Sequence, residues 1–158
     1  MRLWRISNYS DLSGEGGRLA EGRWHERGQP VVYLSEHPAL ALLEVLVRLE
    51  VDVEDIPTEY RLLAIEVEDR ISIEELSEED LDASNPGWRL VPDITRSLTT
   101  SWFAESRTAL LRIPSVIVPR ASNFLLNPMH SDARQLTISS NTKVAFDERL
   151  FPRRHRGR

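Results

Sequence analysis

No cysteine occurs among the 158 residues. Disulfides and thiolate-held metals are thereby excluded, and a chain of this kind suits a reducing cytoplasm, its expected location. No apolar run is long enough to cross a bilayer, and no N-terminal signal peptide is visible. Positive charge is not in surplus either. The net charge of -5 argues against a general nucleic-acid binder, because phosphate contacts need a basic face. The loop Gly14–Gly17 holds three glycines in four residues but has neither GxGxxG nor GxxxxGK spacing, so it is not read as a nucleotide loop. HExxH and paired HxH are missing too, so His130-x-Asp132 with His25 or His37 makes a weak metal set, and no catalytic metal is expected. His130, following Asn127-Pro128, reads better as a turn hydrogen-bonder. Ser115 stands in no GxSxG elbow, which leaves a Ser-His-Asp hydrolase with little support. A glycosidase-like carboxylate pair needs a second acid near Glu44, and Glu36 lies before that helix starts.

What is present has the balance of a globular domain, 41% hydrophobic and 28% charged, in a length that builds one domain with a real core. No internal repeat is visible. Strand-like runs outnumber helical ones and do not alternate regularly with them, so the expected class is α+β rather than a doubly wound sheet. Strands are expected over Met1–Ile6, Pro30–Leu34 and Tyr60–Val67, the last with a partner run at Ile71–Ile73. Ala109–Ile113 and Val116–Val118 read as a kinked strand pair divided by Pro114-Ser115. Gln135–Ile138 and Lys143–Phe146 read as late strands, and Asp147–Leu150 closes the domain. Turns are expected at Asp52–Pro57, Asn85–Trp88 and Asn123–Pro128. An acidic helix falls within Ser72–Asp82. Another spans Thr95–Glu105, with Trp102 and Phe103 as a buried ring pair. Acids are dense between Glu50 and Asp82, and Pro152–Arg158 is basic; both read as solvated surface or as docking surface for a partner.

The stretch from Gly22 to Glu50 organises the rest. Gly22-Arg23-Trp24-His25 is a loop that sets a cation beside an aromatic ring. Pro30–Leu34 is a short strand, and Ser35 is the candidate N-cap of a helix with Pro38 in its first turn. That helix is apolar on nearly every side from Ala39 to Leu49, which predicts burial, and Glu44 sits in its middle. A carboxylate there is costly unless it is paired or lines a cavity. One reading pairs it with Arg48, one turn on. The other holds it in a largely dry pocket facing Arg23 and Tyr33, a set suited to gripping a phosphate, stacking a flat ring and stabilising a positive centre. Ser115 likewise reads either as a serine bonding its own backbone or as part of that site.

Several motifs, in this order, resemble one family. Trp4-Arg5 resembles its opening strand, and Gly22-Arg23-Trp24 its G-G-R-W-N motif. Pro30-Val31-Val32-Tyr33 followed by Ala39-Leu40-Ala41-Leu42-Leu43-Glu44 resembles its P-x-V-Y and A-L-A-x-x-E run, and Ile113-Pro114-Ser115 its V-P-S. Asn123-x-Leu125-Leu126-Asn127-Pro128-x-His130-x-Asp132 resembles N-x-L-x-N-P-x-H-x-D, and Phe146-Asp147-x-Arg149-Leu150 its F-D-x-R-L ending. The chain resembles the RES-domain toxins of RES–Xre toxin–antitoxin pairs, over residues 1–152, with 153–158 as a basic tail. Glu21 and His25 depart from the motif, standing where Gly and Asn are usual. A glutamate beside the arginine weakens anion binding, and His25 is expected to restore part of it.

The resemblance implies a single compact domain of ADP-ribosyltransferase-like fold, a mixed β-sheet with flanking helices. It implies NAD as a consumed substrate rather than a cofactor, with cleavage of the nicotinamide–ribose bond and transfer of ADP-ribose to phosphate, water or a protein. It implies Arg23 on the NAD phosphates, Tyr33 stacked on the nicotinamide or its ribose, Glu44 stabilising the ribosyl cation and Ser115 orienting the substrate. Trp24 and Asn127 are further expected contacts to NAD. The implied partner is a cognate Xre-family helix-turn-helix antitoxin, with room for a second copy of the chain in that complex and no direct contact with nucleic acid or membrane. A partner-binding module without catalysis is the reading from another class.

Overall fold

Side chains alternate across the central strands with a period of two, as strand geometry requires. Val32, Leu34, Leu110, Phe124 and Leu126 enter one buried cluster, and Leu111, Ile113 and Leu125, joined by Tyr33, enter another. Two apolar faces need two covers, so the sheet lies inside the molecule. The computed structural model describes residues 1–49 and 57–151. Its strands are β1 (Arg2–Ile6), β2 (Val32–Ser35), β3 (Glu59–Glu66), β4 (Ile73–Glu75), β5 (Leu110–Pro114), β6 (Ser122–Leu126) and β7 (Thr137–Ala145). The helices are α1 (Glu15–Leu19), α2 (Pro38–Leu46), α3 (Glu78–Ser84) and α4 (Pro92–Glu105). The strands form one 7-stranded sheet in the order β4-β5-β6-β2-β1-β3-β7. The β4–β5 pairing is parallel and the others are antiparallel, so the sheet is mixed.

Leu12, Ala133 and Leu136 close the first face. Trp88 and Trp102, each 1% exposed, anchor α3 and α4 on the second. Their indole N–H groups donate to Asp82 at 2.8 Å and to Thr108 at 2.9 Å, so neither ring buries an unmet donor. Trp102 packs edge-on against Phe103 with centroids 4.7 Å apart, the ring pair expected of that helix. α2 packs on β1 and β2.

Several expectations are corrected. Ser35 is not the N-cap of α2: it belongs to β2, and His37 caps the helix through Nδ1, which accepts from the Ala39 N–H at 3.1 Å. α2 is not buried all round. Leu40 and Ala41 are buried, but Leu43 and Val47 are 40% and 58% exposed, because only the side toward the sheet finds cover. Ile71–Ile73 does not partner β3, whose two edges are taken by β1 and β7; it leads into β4 at the far side of the sheet. Val116–Val118 is no strand. It lies in a turn that the Ser115 hydroxyl organises by accepting the N–H groups of Ile117 and Val118 at 3.2 and 3.1 Å. Asn123 does not open a turn but sits in β6, where every residue is buried. The two late strands are one, β7, whose polar middle is tolerated because this edge strand is largely exposed. Residues 52–56 of the turn expected at Asp52–Pro57, and the tail at 153–158, lie outside the described residues.

Candidate active site

Arg23 stands at the tip of a tight turn closed by the Gly22 N–H donating to the His25 carbonyl at 3.1 Å. Three side chains of α4 hold that turn by successive carbonyls. Arg96 Nε donates to Gly22 at 2.9 Å, the Thr95 hydroxyl to Arg23, and the Thr99 hydroxyl to Trp24 at 2.6 Å. From the sheet, the Tyr33 hydroxyl accepts the Trp24 N–H at 3.1 Å and lies 2.8 Å from His25 Nδ1. His25 Nε2 is 2.9 Å from the Ala20 carbonyl. A carbonyl only accepts, so Nε2 carries the proton and Nδ1 accepts from the tyrosine. Burial lowers the His25 pKa from its ordinary value and pushes Tyr33 up to about 12, so both are neutral at pH 7. Gly22 is required here by close approach: a Cβ would meet the Tyr33 hydroxyl at 2.6 Å and the His25 ring at 2.7 Å.

Burial also lowers the Arg23 pKa, and the nearby Arg96 cation adds to the effect. An arginine gives up its proton only far above neutral pH, so the result is a crowded, partly desolvated cation. Its one internal hydrogen bond among the described residues is long, 3.3 Å to the Trp88 carbonyl. Such a guanidinium gains from any anion that reaches it.

Glu44 projects from α2 toward the same space. Its Oε1 accepts from Asn123 Nδ2 at 2.5 Å and from the Ser115 hydroxyl at 3.2 Å. The Arg48 ion pair is absent among the described residues; instead the Arg48 guanidinium lies over the Tyr33 ring, 5.3 Å from its centroid. Arg23, Trp24, Tyr33, Glu44 and Asn123 line one cavity of about 480 Å³, with Arg5 and Arg48 at its wall. That volume falls within the about 300–1,000 Å³ usual for small-molecule sites.

The fold therefore brings together Arg23, Trp24, Tyr33 and Glu44. Trp24 is a wall that is mostly core, 3% exposed and tilted against Trp88 with centroids 6.0 Å apart. One face of the Tyr33 ring carries Arg48, which narrows the space for a stacked ligand. Ser115, 2% exposed, stands behind Glu44 rather than on the cavity wall. The same hydroxyl bonds its own turn, as one of its two readings had it. Asn127 is not among the residues that line the cavity; it lies just past the end of β6. There its amide bonds Ser106 and the Met129 N–H, at 3.3 and 3.0 Å. His130 is the turn residue it was read to be, accepting the Asp132 N–H at 3.0 Å. The two motif departures resolve locally. Glu21 pairs with Arg96 at 3.3 Å, and His25, neutral and bonded through both nitrogens, adds no positive charge. The sequence pointed neither to the roles that Asn123 and Arg48 take at the cavity nor to the Thr95-Arg96-Thr99 clamp. The signal for the clamp was a threonine pair at helical spacing, Thr95 and Thr99, both of which the structure buries beside the apolar side of the helix.

A fixed cation and a fixed carboxylate in one cavity suit a substrate with an anionic part and a carbon that becomes positive. A family model described as "RES domain" matches residues 2–147. The chain belongs to the RES-domain family. RES relatives match it nearly end to end. Toxin Res of Pseudomonas putida is 46% identical over 151 residues, covering 96% of this chain and all of the relative. The Prs ADP-ribosylating toxin of a Sphingobium species is 36% identical over 159 residues, covering 94% and 96%. Among solved structures, the M. tuberculosis MbcT–MbcA toxin–antitoxin complex contains a chain that superposes with a TM-score of 0.74 at 16% identity, covering 91% of this chain and 84% of that one. The likeness is one of fold. The RES fold seen here is the expected one: a single α+β domain of ADP-ribosyltransferase-like architecture, with a mixed sheet and four flanking helices among the described residues.

Proposed function

We propose that this chain is the toxin of a toxin–antitoxin pair and that it consumes NAD by breaking the nicotinamide–ribose bond. The observation that carries this reading is the shared cavity, in which the turn carrying Arg23 and the Glu44 carboxylate are each fixed by separate parts of the fold. Arg23 binds the pyrophosphate. When the bond between the ribose C1′ and the nicotinamide nitrogen breaks, its electron pair leaves with nicotinamide, which departs neutral and needs no strong general acid. The positive charge left on the ribose is met by Glu44. An acceptor oxygen then bonds C1′, and any proton it carries in excess passes to solvent water.

The RES family membership, the name Toxin Res and the fold likeness to a toxin–antitoxin complex support the toxin role and an antitoxin partner; that this partner is of the Xre class rests on the motif resemblance alone. Transfer of ADP-ribose to a protein is the second reading, favoured by the relative named an ADP-ribosylating toxin.

Purified protein incubated with NAD tests the proposal. Arg23→Ala and Glu44→Gln should each lower NAD loss by about 10²–10³-fold, the usual cost of one charge-stabilising group, and abolish toxicity with the fold intact. Glutamine keeps an oxygen for Asn123 and Ser115, so only the charge is lost. Full turnover by Glu44→Gln would refute the carboxylate's role, and a wild-type protein that binds NAD without consuming it would leave a binding module. Labelled ADP-ribose on a protein band marks the second reading.

A further inference from the structure

Ser35 and Asn123 face each other across the β2–β6 pairing, and both are buried, 5% and 8% exposed. Polar side chains in the middle of a buried sheet are costly when unpaired. Here they form a chain with one direction. The Ser35 hydroxyl donates to Asn123 Oδ1 at 2.7 Å, and Asn123 Nδ2 donates to Glu44 Oε1 at 2.5 Å. With its oxygen held by Ser35, the amide has one orientation, NH₂ toward Glu44. Ser115 donates to the same oxygen at 3.2 Å, and Oε2 receives no hydrogen bond among the described residues.

We propose that Ser35 and Asn123 are positioning residues for the reaction, a relay across two strands that ties Oε1 of Glu44 to the sheet and leaves Oε2 to face the ribose. This rests on the reading of Glu44 given above. Glu44 hangs from a helix whose outer side is exposed, and a glutamate has three rotatable bonds of its own. The relay refers the carboxylate to the most buried strand of the molecule, where every residue of β6 is covered. A charge held this way needs no reorganisation when the ribosyl cation forms.

The test compares Ser35→Ala, Ser35→Thr and Asn123→Ala in the full chain. Ser35→Ala and Asn123→Ala should lower kcat by about 10–100-fold, the scale of a misplaced reacting group, with KM for NAD little changed. Ser35→Thr keeps a hydroxyl and should restore most of the rate. In a Glu44→Gln background, Asn123→Ala should have almost no further effect, since it acts through that carboxylate. Unchanged kcat, a loss confined to KM, or full additivity with Glu44→Gln would overturn the proposal. If Asn123→Ala does not fold, the serine pair carries the same comparison. NMR relaxation of the Glu44 side-chain methylenes, measured without substrate, separates this proposal from the NAD reading. One ordered rotamer in the wild type and averaging in both alanine variants is the expected result, and an equally ordered Glu44 in all of them overturns the relay whether or not NAD is consumed.

Discussion

Removing the Tyr33 hydroxyl, and nothing else, tests how the arginine turn is held. Tyr33→Phe keeps the ring, its packing and its face toward Arg48. It deletes the acceptor of the Trp24 N–H and the donor to His25 Nδ1. Trp24 and His25 are 3% and 4% exposed, so water does not readily replace the lost oxygen. A buried polar group left without its partner costs about 1–3 kcal/mol, and two such groups with some relaxation give about 2–4 kcal/mol. For a domain of this size, 1 kcal/mol moves the melting midpoint by about 2–4 °C, so a fall of about 5–15 °C is expected. Differential scanning fluorimetry of the two proteins, checked by urea denaturation, measures it. Activity measured below the melting range separates two roles for Tyr33. A ring that only stacks on substrate works as phenylalanine, whereas a hydroxyl that holds the Arg23 turn does not. A Tyr33→Phe protein that melts within about 1 °C of wild type and keeps its rate would refute the hydroxyl as the anchor, because that shift corresponds to well under 1 kcal/mol.

His25 gives a pH prediction. Its pKa is lowered from 6.5 by burial, so the unfolded chain takes up the proton first. Its contribution to stability is therefore complete above the ordinary value and is lost as the pH falls from there toward the folded value, at no more than about 1.4 kcal/mol per pH unit. Melts at pH 7, 6 and 5 should show a steeper loss for wild type than for His25→Asn, and equal slopes would remove His25 as the group responsible. The acceptor gives another. Among the described residues the one histidine lining the cavity is neutral and bonded through both nitrogens, and Glu44 is committed to the ribosyl cation, so no further base is at hand for water, and a base typically contributes about 10²–10⁴-fold. Inorganic phosphate needs no such base and is drawn by an arginine. Added phosphate should speed NAD loss and yield ADP-ribose heavier by one phosphate on mass spectrometry; equal rates and plain ADP-ribose in both buffers leave a hydrolase.

The sequence alone determined the class of the domain and most of the chemical types at the site. Alternation marked β1, apolar runs of strand character marked β2 and β3, and the run Gly22–Glu50 placed a cation, a phenol and a carboxylate close together along the chain. Short-range order suffices for such features, because a strand, a capped helix and a tight turn are decided by neighbours within a few residues. Tertiary structure decided the partners. Whether Glu44 answered to Arg48 or to a pocket depended on residues 71 and 79 positions away, Ser115 and Asn123. Asn123 read as the start of a turn because asparagine usually competes with a strand's backbone bonds. It became a strand residue because Ser35, Glu44 and the sheet ladder satisfied every polar group it buried. The carbonyls of Gly22, Arg23 and Trp24 are likewise held by α4, more than 70 residues on. A hydrogen bond between distant segments leaves no periodicity in either of them, so only the packing of α2 and α4 on one face of the sheet could reveal which side chains meet.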